Sequence, residues 1–111
     1  MRRLPASLLL HSGHGALHLD LLLGTAPRCE TMAIDLCGAR WRWRQQAPHR
    51  RRYLHYRGPV SGGRGRVRQL WHGMAVAVRG TKAWVIHLDS GCELVLHDAG
   101  LAGARMCDTI C

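Results

Sequence analysis

Apolar residues along this chain recur at every second position far more often than at helical spacing. Leu17, Leu19 and Leu21 alternate with His18 and Asp20, and Met32, Ile34 and Leu36 alternate with Ala33 and Asp35 ahead of a turn signal at Gly38. Trp41 and Trp43 alternate with Arg40, Arg42 and Arg44. Successive strand residues point to opposite faces, so each pattern predicts a strand with one apolar face. The strongest segment is MAVAVRGTKAWVIHLDSGCELVLH at 74–97, where three apolar runs are separated by Arg79-Gly80-Thr81-Lys82 and Asp89-Ser90-Gly91. Gly80 and Gly91 supply the positive φ that tight hairpins demand. An antiparallel meander of strands at 74–79, 82–88 and 92–97 follows. Its middle strand puts Trp84, Ile86 and Leu88 on one face and Val85 and His87 on the other, and is expected to be covered on both.

Other stretches carry different signals. Residues 5–10 predict a short N-terminal helix with Pro5 in its first turn, ended by Gly13 and Gly15. Residues 45–65 contain Pro48, Pro59 and the run Ser61-Gly62-Gly63-Arg64-Gly65, which predicts a long flexible basic loop interrupted by a short strand at 53–57. The residues from 98 onward predict a short helix or a frayed tail. No internal repeat is present. A chain of 111 residues is expected to be one small domain over 1–111. Its fold class is mainly β: a small antiparallel meander or partly closed barrel with a short N-terminal helix and the basic loop.

Composition adds a partner to this picture. The formal net charge is +9, Phe and Asn are absent, and Lys82 is the only Lys. A GC-rich gene produces that bias, so the Arg content has a mutational source. Its distribution asks for more. No acid lies between Leu36 and Leu88, which leaves a cationic block that repels itself when compact and that a polyanion would neutralise. Within it, ARWRWRQQAPHRRRYLHYRG at 39–58 holds seven Arg and four large aromatics. Guanidinium forks suit phosphate oxygens, and Trp or Tyr stacks on unpaired bases. The expected function is non-enzymatic, sequence-tolerant binding of RNA or single-stranded DNA. Arg40, Arg42, Arg44, Arg50, Arg51, Arg52, Arg57, Arg64, Arg66 and Arg68 are the phosphate candidates; Trp41, Trp43, Tyr53 and Tyr56 are the stacking candidates. No recognition-helix, RNP or zinc-finger pattern calls for base-specific readout. Two other readings use the same letters. An anionic membrane surface suits alternating Trp and Arg, and a small structural protein would bury Trp41 and Trp43 and leave the Arg as a solvated face.

Candidate chemistry is sparse. The five cysteines are odd in number and irregularly spaced, which argues against a disulfide framework and for an intracellular, reducing compartment. The apolar run near the N-terminus is broken by His11, Ser12, Gly13 and His14, so secretion is not expected. No window reaches the ~18 to 20 uninterrupted apolar residues of a spanning helix. His11, His14 and His18 are spaced for one helix face, but the intervening glycines weaken a helix and the alternation around His18 favours a strand. No metal ligands and no cofactor are therefore assigned, and a chelator is expected to leave the fold unchanged. Cys107 with His72 or His87 is a conceivable nucleophile and base, yet that chemistry needs hydrogen-bond reach and an orienting group that spacing alone does not establish. No catalytic residue and no small-molecule substrate are assigned.

Overall fold

The alternating segments do form strands, and every strand joins one antiparallel sheet. In this computed structural model, which describes residues 2–36, 40–60, 62–98 and 105–111, the chain runs through β1 (Arg2–Ser12), β2 (His18–Leu23), β3 (Cys29–Asp35) and β4 (Trp41–His49). A 3₁₀ turn (Arg51–His55) follows, then β5 (Gly58–Pro59), β6 (Arg66–Arg79), β7 (Ala83–Leu88), β8 (Glu93–His97) and β9 (Met106–Ile110). Sheet order is β1-β2-β3-β4-β9-β8-β7-β6-β5, with β1 also pairing β6. The sheet is partly ring-like without being a barrel. Its seam is narrow where β4 meets β9, at the pairs Trp41 with Cys107 and Arg42 with Met106.

Register decides which residues share a face, because directly opposed residues of an antiparallel pair lie on the same side. Leu21 faces Met32, Ile34 faces Trp43, and Ile86 faces Leu94. These build the main core. Leu9, Leu22, Cys29, Leu54 and Val67 form a second apolar cluster. Leu54 brings the 3₁₀ turn down onto that cluster and so anchors a connection that has few other apolar residues.

The meander stands, in β6, β7 and β8, with β7 pairing β6 on one side and β8 on the other; Gly91 has the expected positive φ, +98°, but Gly80 does not, and its turn is closed instead by the Gly80 N–H donating to the Ala83 carbonyl at 2.8 Å. Trp84, Ile86 and Leu88 all turn to the main core. The other face of β7 is not covered: His87 is exposed and its Nδ1 lies 3.1 Å from Glu93. The expected N-terminal helix is corrected to β1. Leu8 and Leu10 pack against the main core while Leu9 belongs to the second cluster, so both faces are buried and the alternation signal vanishes from the sequence. Pro5 fits this strand because its carbonyl accepts from the Gly24 N–H at 2.7 Å, while the β1–β2 ladder begins only at Ala6. Nitrogen and oxygen of one strand residue face the same neighbour, so the missing Pro5 N–H falls beyond the end of that ladder.

The expected loop at 45–65 is also corrected. Residues 45–49 extend β4, where Gln46 opposes Thr31 and His49 opposes Cys29, and Gln45 donates to the Thr31 carbonyl at 3.0 Å. The strand expected at 53–57 is replaced by the end of the 3₁₀ turn, at 53–55, and two linking residues before β5. Residues 106–110 are strand β9 rather than helix or frayed tail, since β8 and β4 both offer it backbone partners. Gly38 and residues 99–104 lie outside the described residues. Cys92 and Cys111 are disulfide-bonded, contrary to the expectation drawn from the number and spacing of the cysteines; the Glu93–Ile110 register pair brings their neighbours at the strand ends together. Cys29 and Cys107 are free and buried, and Cys37 lies outside the described residues. No helix among the described residues is long and apolar enough to cross a membrane.

One turn is held by a single glycine. Gly65 has φ +78°, and a Cβ there would overlap the Ser12 carbonyl oxygen and come within 2.9 Å of the Gly13 carbonyl carbon. Gly63 has φ +68° with nothing within 4 Å of a built Cβ. Gly65→Ala is therefore expected to destabilise by about 3 kcal/mol, of which about 1–2 kcal/mol is the left-handed backbone and the rest the displaced carbonyl. Gly63→Ala carries the backbone part alone, about 1–2 kcal/mol. Urea denaturation of both variants checks the difference; equal losses would remove the close approach as its cause.

Candidate anion-binding cleft

Alternation that sends Trp43 inward sends Arg42 and Arg44 outward, and register carries this outer stripe across neighbouring strands. Ala33 opposes Arg44, Asp20 opposes Ala33, Leu9 opposes Asp20, and His11 opposes His18. The 3₁₀ turn stands over the stripe. It is latched by Arg51, which donates to the carbonyls of Gly24 at 2.9 Å and Thr25 at 2.7 Å. The segment after β5 is closed by a bond from the Val60 N–H to the Gly65 carbonyl at 2.8 Å. Between them lies a cleft of about 630 Å³.

Leu9, His11, His18 and Asp20 line its strand side, and Arg28, Arg44, Arg50, Arg52, Arg64 and Tyr53 line the rest. Asp20 is the only acid among the lining residues. Arg44 is partly neutralised by Asp35, 3.3 Å away, but both are surface groups in high dielectric, where such a pair is weak. Arg52 lies over the Tyr53 ring, 5.0 Å from its centroid, and donates to the Tyr53 hydroxyl at 3.2 Å. That contact sets a cation over the phenol ring, which Tyr56 and His49 also meet at ring separations of 5.1 and 6.0 Å, so Tyr53 is held in a basic and aromatic setting.

All ten arginines singled out from sequence are exposed, but the fold sorts them. Arg44, Arg50, Arg52 and Arg64 converge on the cleft. Arg57, Arg66 and Arg68 line a neighbouring groove of about 560 Å³ that shares Val67 with it. Arg40 lies 3.9 Å from Asp108, Arg42 is on the outer face of β4, and Arg51 serves as the latch. Tyr53 lines the cleft; Tyr56 packs against the second cluster and donates its hydroxyl to the Pro59 carbonyl. Trp43 is buried and donates Nε1–H to the His97 carbonyl at 2.8 Å, while Trp41 is half-buried against the same core. One indole is therefore buried and the other partly exposed, and neither lines the cleft. Arg28 is the member that sequence reading missed. It lies outside the acid-free block, in the β2–β3 connection, and only folding brings it to the others.

The two free thiols among the described residues, Cys29 and Cys107, are buried. Burial pushes Cys107 up to about 12, with Asp108 adding to the effect, so its thiolate is scarce at neutral pH. Burial also raises Cys29, against a lowering influence from Arg51. The histidines are arranged differently from the helix-face spacing considered above. His11 and His18 are a cross-strand pair, their rings 4.8 Å apart, and Asp20 lies beneath them with Oδ2 3.4 Å from His11 Nδ1 and Oδ1 3.3 Å from His18 Nε2. His14 remains exposed on the hairpin turn, its ring 6.1 Å from that of His11. Compared with known proteins, the chain matches no protein-family model and no curated protein.

Proposed function

We propose that this chain is a non-enzymatic binder of single-stranded nucleic acid, RNA or DNA, that holds the phosphate backbone in the arginine-lined cleft without reading sequence. The observation that carries this reading is the convergence of Arg28, Arg44, Arg50, Arg52 and Arg64 on one concavity with a single lining acid. Low-dielectric walls around like charges focus the field and draw in an anion. A volume of about 630 Å³ lies within the roughly 300–1,000 Å³ of pockets that enclose a small-molecule-sized group, which suits a nucleotide unit of a flexible strand better than a duplex. Tyr53 is the stacking residue of this reading. Arg57, Arg66 and Arg68 in the neighbouring groove continue the path of the strand.

The membrane alternative needs indoles at the interface, and Trp43 is only 6% exposed. Fluorescence anisotropy separates the two. Labelled single-stranded RNA and DNA of mixed sequence are expected to bind with non-specific affinity, in the range of about 10⁻⁴ to 10⁻⁶ M near physiological salt, and with little difference between sequences. Vesicles containing phosphatidylserine are expected to leave tryptophan emission unshifted. A blue shift on vesicles with no response to any oligonucleotide would replace this reading with the membrane one.

A further inference from the structure

We infer that His11, His18 and Asp20 form a mononuclear site for a divalent first-row transition metal of the zinc class, opening into the cleft. The inference starts from the partners of the two imidazoles. His18 Nδ1 lies 2.9 Å from the Ala16 carbonyl, and His11 Nε2 lies 2.6 Å from the Arg64 carbonyl. A carbonyl oxygen only accepts, so each of those nitrogens carries the proton. In the neutral rings this leaves His18 Nε2 and His11 Nδ1 as lone pairs, and both face the Asp20 carboxylate. Three acceptors thus converge with no donor between them. His18 Nε2 and Asp20 Oδ1 are buried and have no hydrogen-bond partner, even though they stand 3.3 Å apart. The side chains are 5% and 3% exposed, and leaving a charge so buried without compensation is costly.

A cation resolves the conflict. The ligand atoms of the three residues all lie within 4.8 Å of one another. Tetrahedral zinc with nitrogen and oxygen bonds of about 2.0–2.1 Å separates its ligands by about 3.3 Å, close to the two histidine–carboxylate distances, one to each oxygen of Asp20. Backbone carbonyls that hold the far N–H of each imidazole are the usual support of ligating histidines. Three protein ligands leave at least one position for water or an anionic oxygen, and all three residues line the cleft. The ligands sit on a hairpin already paired from Ala6 with Leu23 to His11 with His18. The fold therefore does not hang on the metal, and a chelator is still expected to leave it unchanged. The sequence spacing that suggested His14 as a partner is replaced here by cross-strand register.

Calorimetry and equilibrium dialysis of the tag-free full chain with Zn²⁺ test the site, with Co²⁺ absorption as a second readout. One metal per chain is expected. His11→Ala and Asp20→Asn should each weaken binding by at least about 100-fold, no less than the loss seen on disturbing supporting residues. His87→Ala, outside the cleft, should leave it unchanged. Circular dichroism checks each variant. If Asp20→Asn fails to fold, His11→Ala decides the matter, since that side chain is at the more open rim. Absence of stoichiometric Zn²⁺ binding by the wild-type chain, or binding undiminished in His11→Ala, would overturn the inference and leave an imidazolium–carboxylate pair as the occupant. The readout uses metal alone, so it stands whether or not oligonucleotides bind.

Discussion

Trp43→Ala is expected to destabilise the protein by about 3–5 kcal/mol, a large share of the roughly 5–15 kcal/mol that holds a domain of this kind together. Three contributions converge on this indole. It is buried in the main core opposite Ile34. Its Nε1–H satisfies the His97 carbonyl at the end of β8. The Arg105 guanidinium lies 5.1 Å from the ring centroid, next to the short β4–β9 pairing, where the Trp43 backbone N–H donates to the Arg105 carbonyl at 2.8 Å, a bond that truncation leaves in place. Truncation therefore opens a cavity and loosens the narrow seam at once. Trp43→Phe keeps most of the apolar volume and leaves one carbonyl unpaired, so about 1–3 kcal/mol is expected from it. Urea denaturation followed by circular dichroism measures both. A Trp43→Ala loss below about 1 kcal/mol, the level of surface changes, would mean that this seam does not depend on the indole.

Replacing Arg44, Arg50 and Arg52 together by Gln is expected to weaken oligonucleotide binding by about 100-fold at 0.1 M salt, from the loss of counterion release alone. The three side chains are exposed, and the one acid among their ion-pair partners, Asp35, remains solvated, so stability should change little. Arg51 is left in place deliberately. Its bonds to Gly24 and Thr25 make its removal a disturbance of the 3₁₀ turn, which would confuse loss of contact with loss of structure. Arg79→Gln is the matching control: Arg79 is paired with Asp98 and does not line the cleft. Anisotropy titrations give the comparison, and a loss of log affinity in the single-charge control about one third of that in the triple variant would show that only net charge matters.

How much of this was legible in the sequence follows from burial. Strands with one wet face announce themselves by alternation, as around Trp43 and Ile86, while β2 and β3 are buried on both faces and were legible because His18, Asp20 and Asp35 still interrupt their apolar runs. β1 does not, because Leu8, Leu9 and Leu10 serve two cores and their run looks the same as that of a buried helix. β9 was obscured by the small and polar residues before it, and its pairing is decided by partners distant in sequence. The basic block at 39–58 was visible as composition, yet which arginines meet was not. That depends on the outward parity of β4, on Leu54 pinning the 3₁₀ turn, and on Gly65 allowing the segment with Arg64 to approach Ser12. Arg28 reaches the cleft from the β2–β3 connection and His11 meets Asp20 through cross-strand register, and spacing along one strand contains neither.

The central claim is that phosphates occupy the cleft, and the salt dependence of single-stranded oligonucleotide binding tests it most directly. If Arg28, Arg44, Arg50, Arg52 and Arg64 each contact a phosphate, log affinity should fall against log salt with a slope of about −3.5, which is about a 100-fold loss between roughly 50 and 200 mM. In the Arg44, Arg50, Arg52 triple variant two contacts remain and the slope should flatten to about −1.4. A wild-type slope near zero, or a slope that the triple variant leaves unchanged, would contradict the assignment of this cleft to the nucleic-acid backbone.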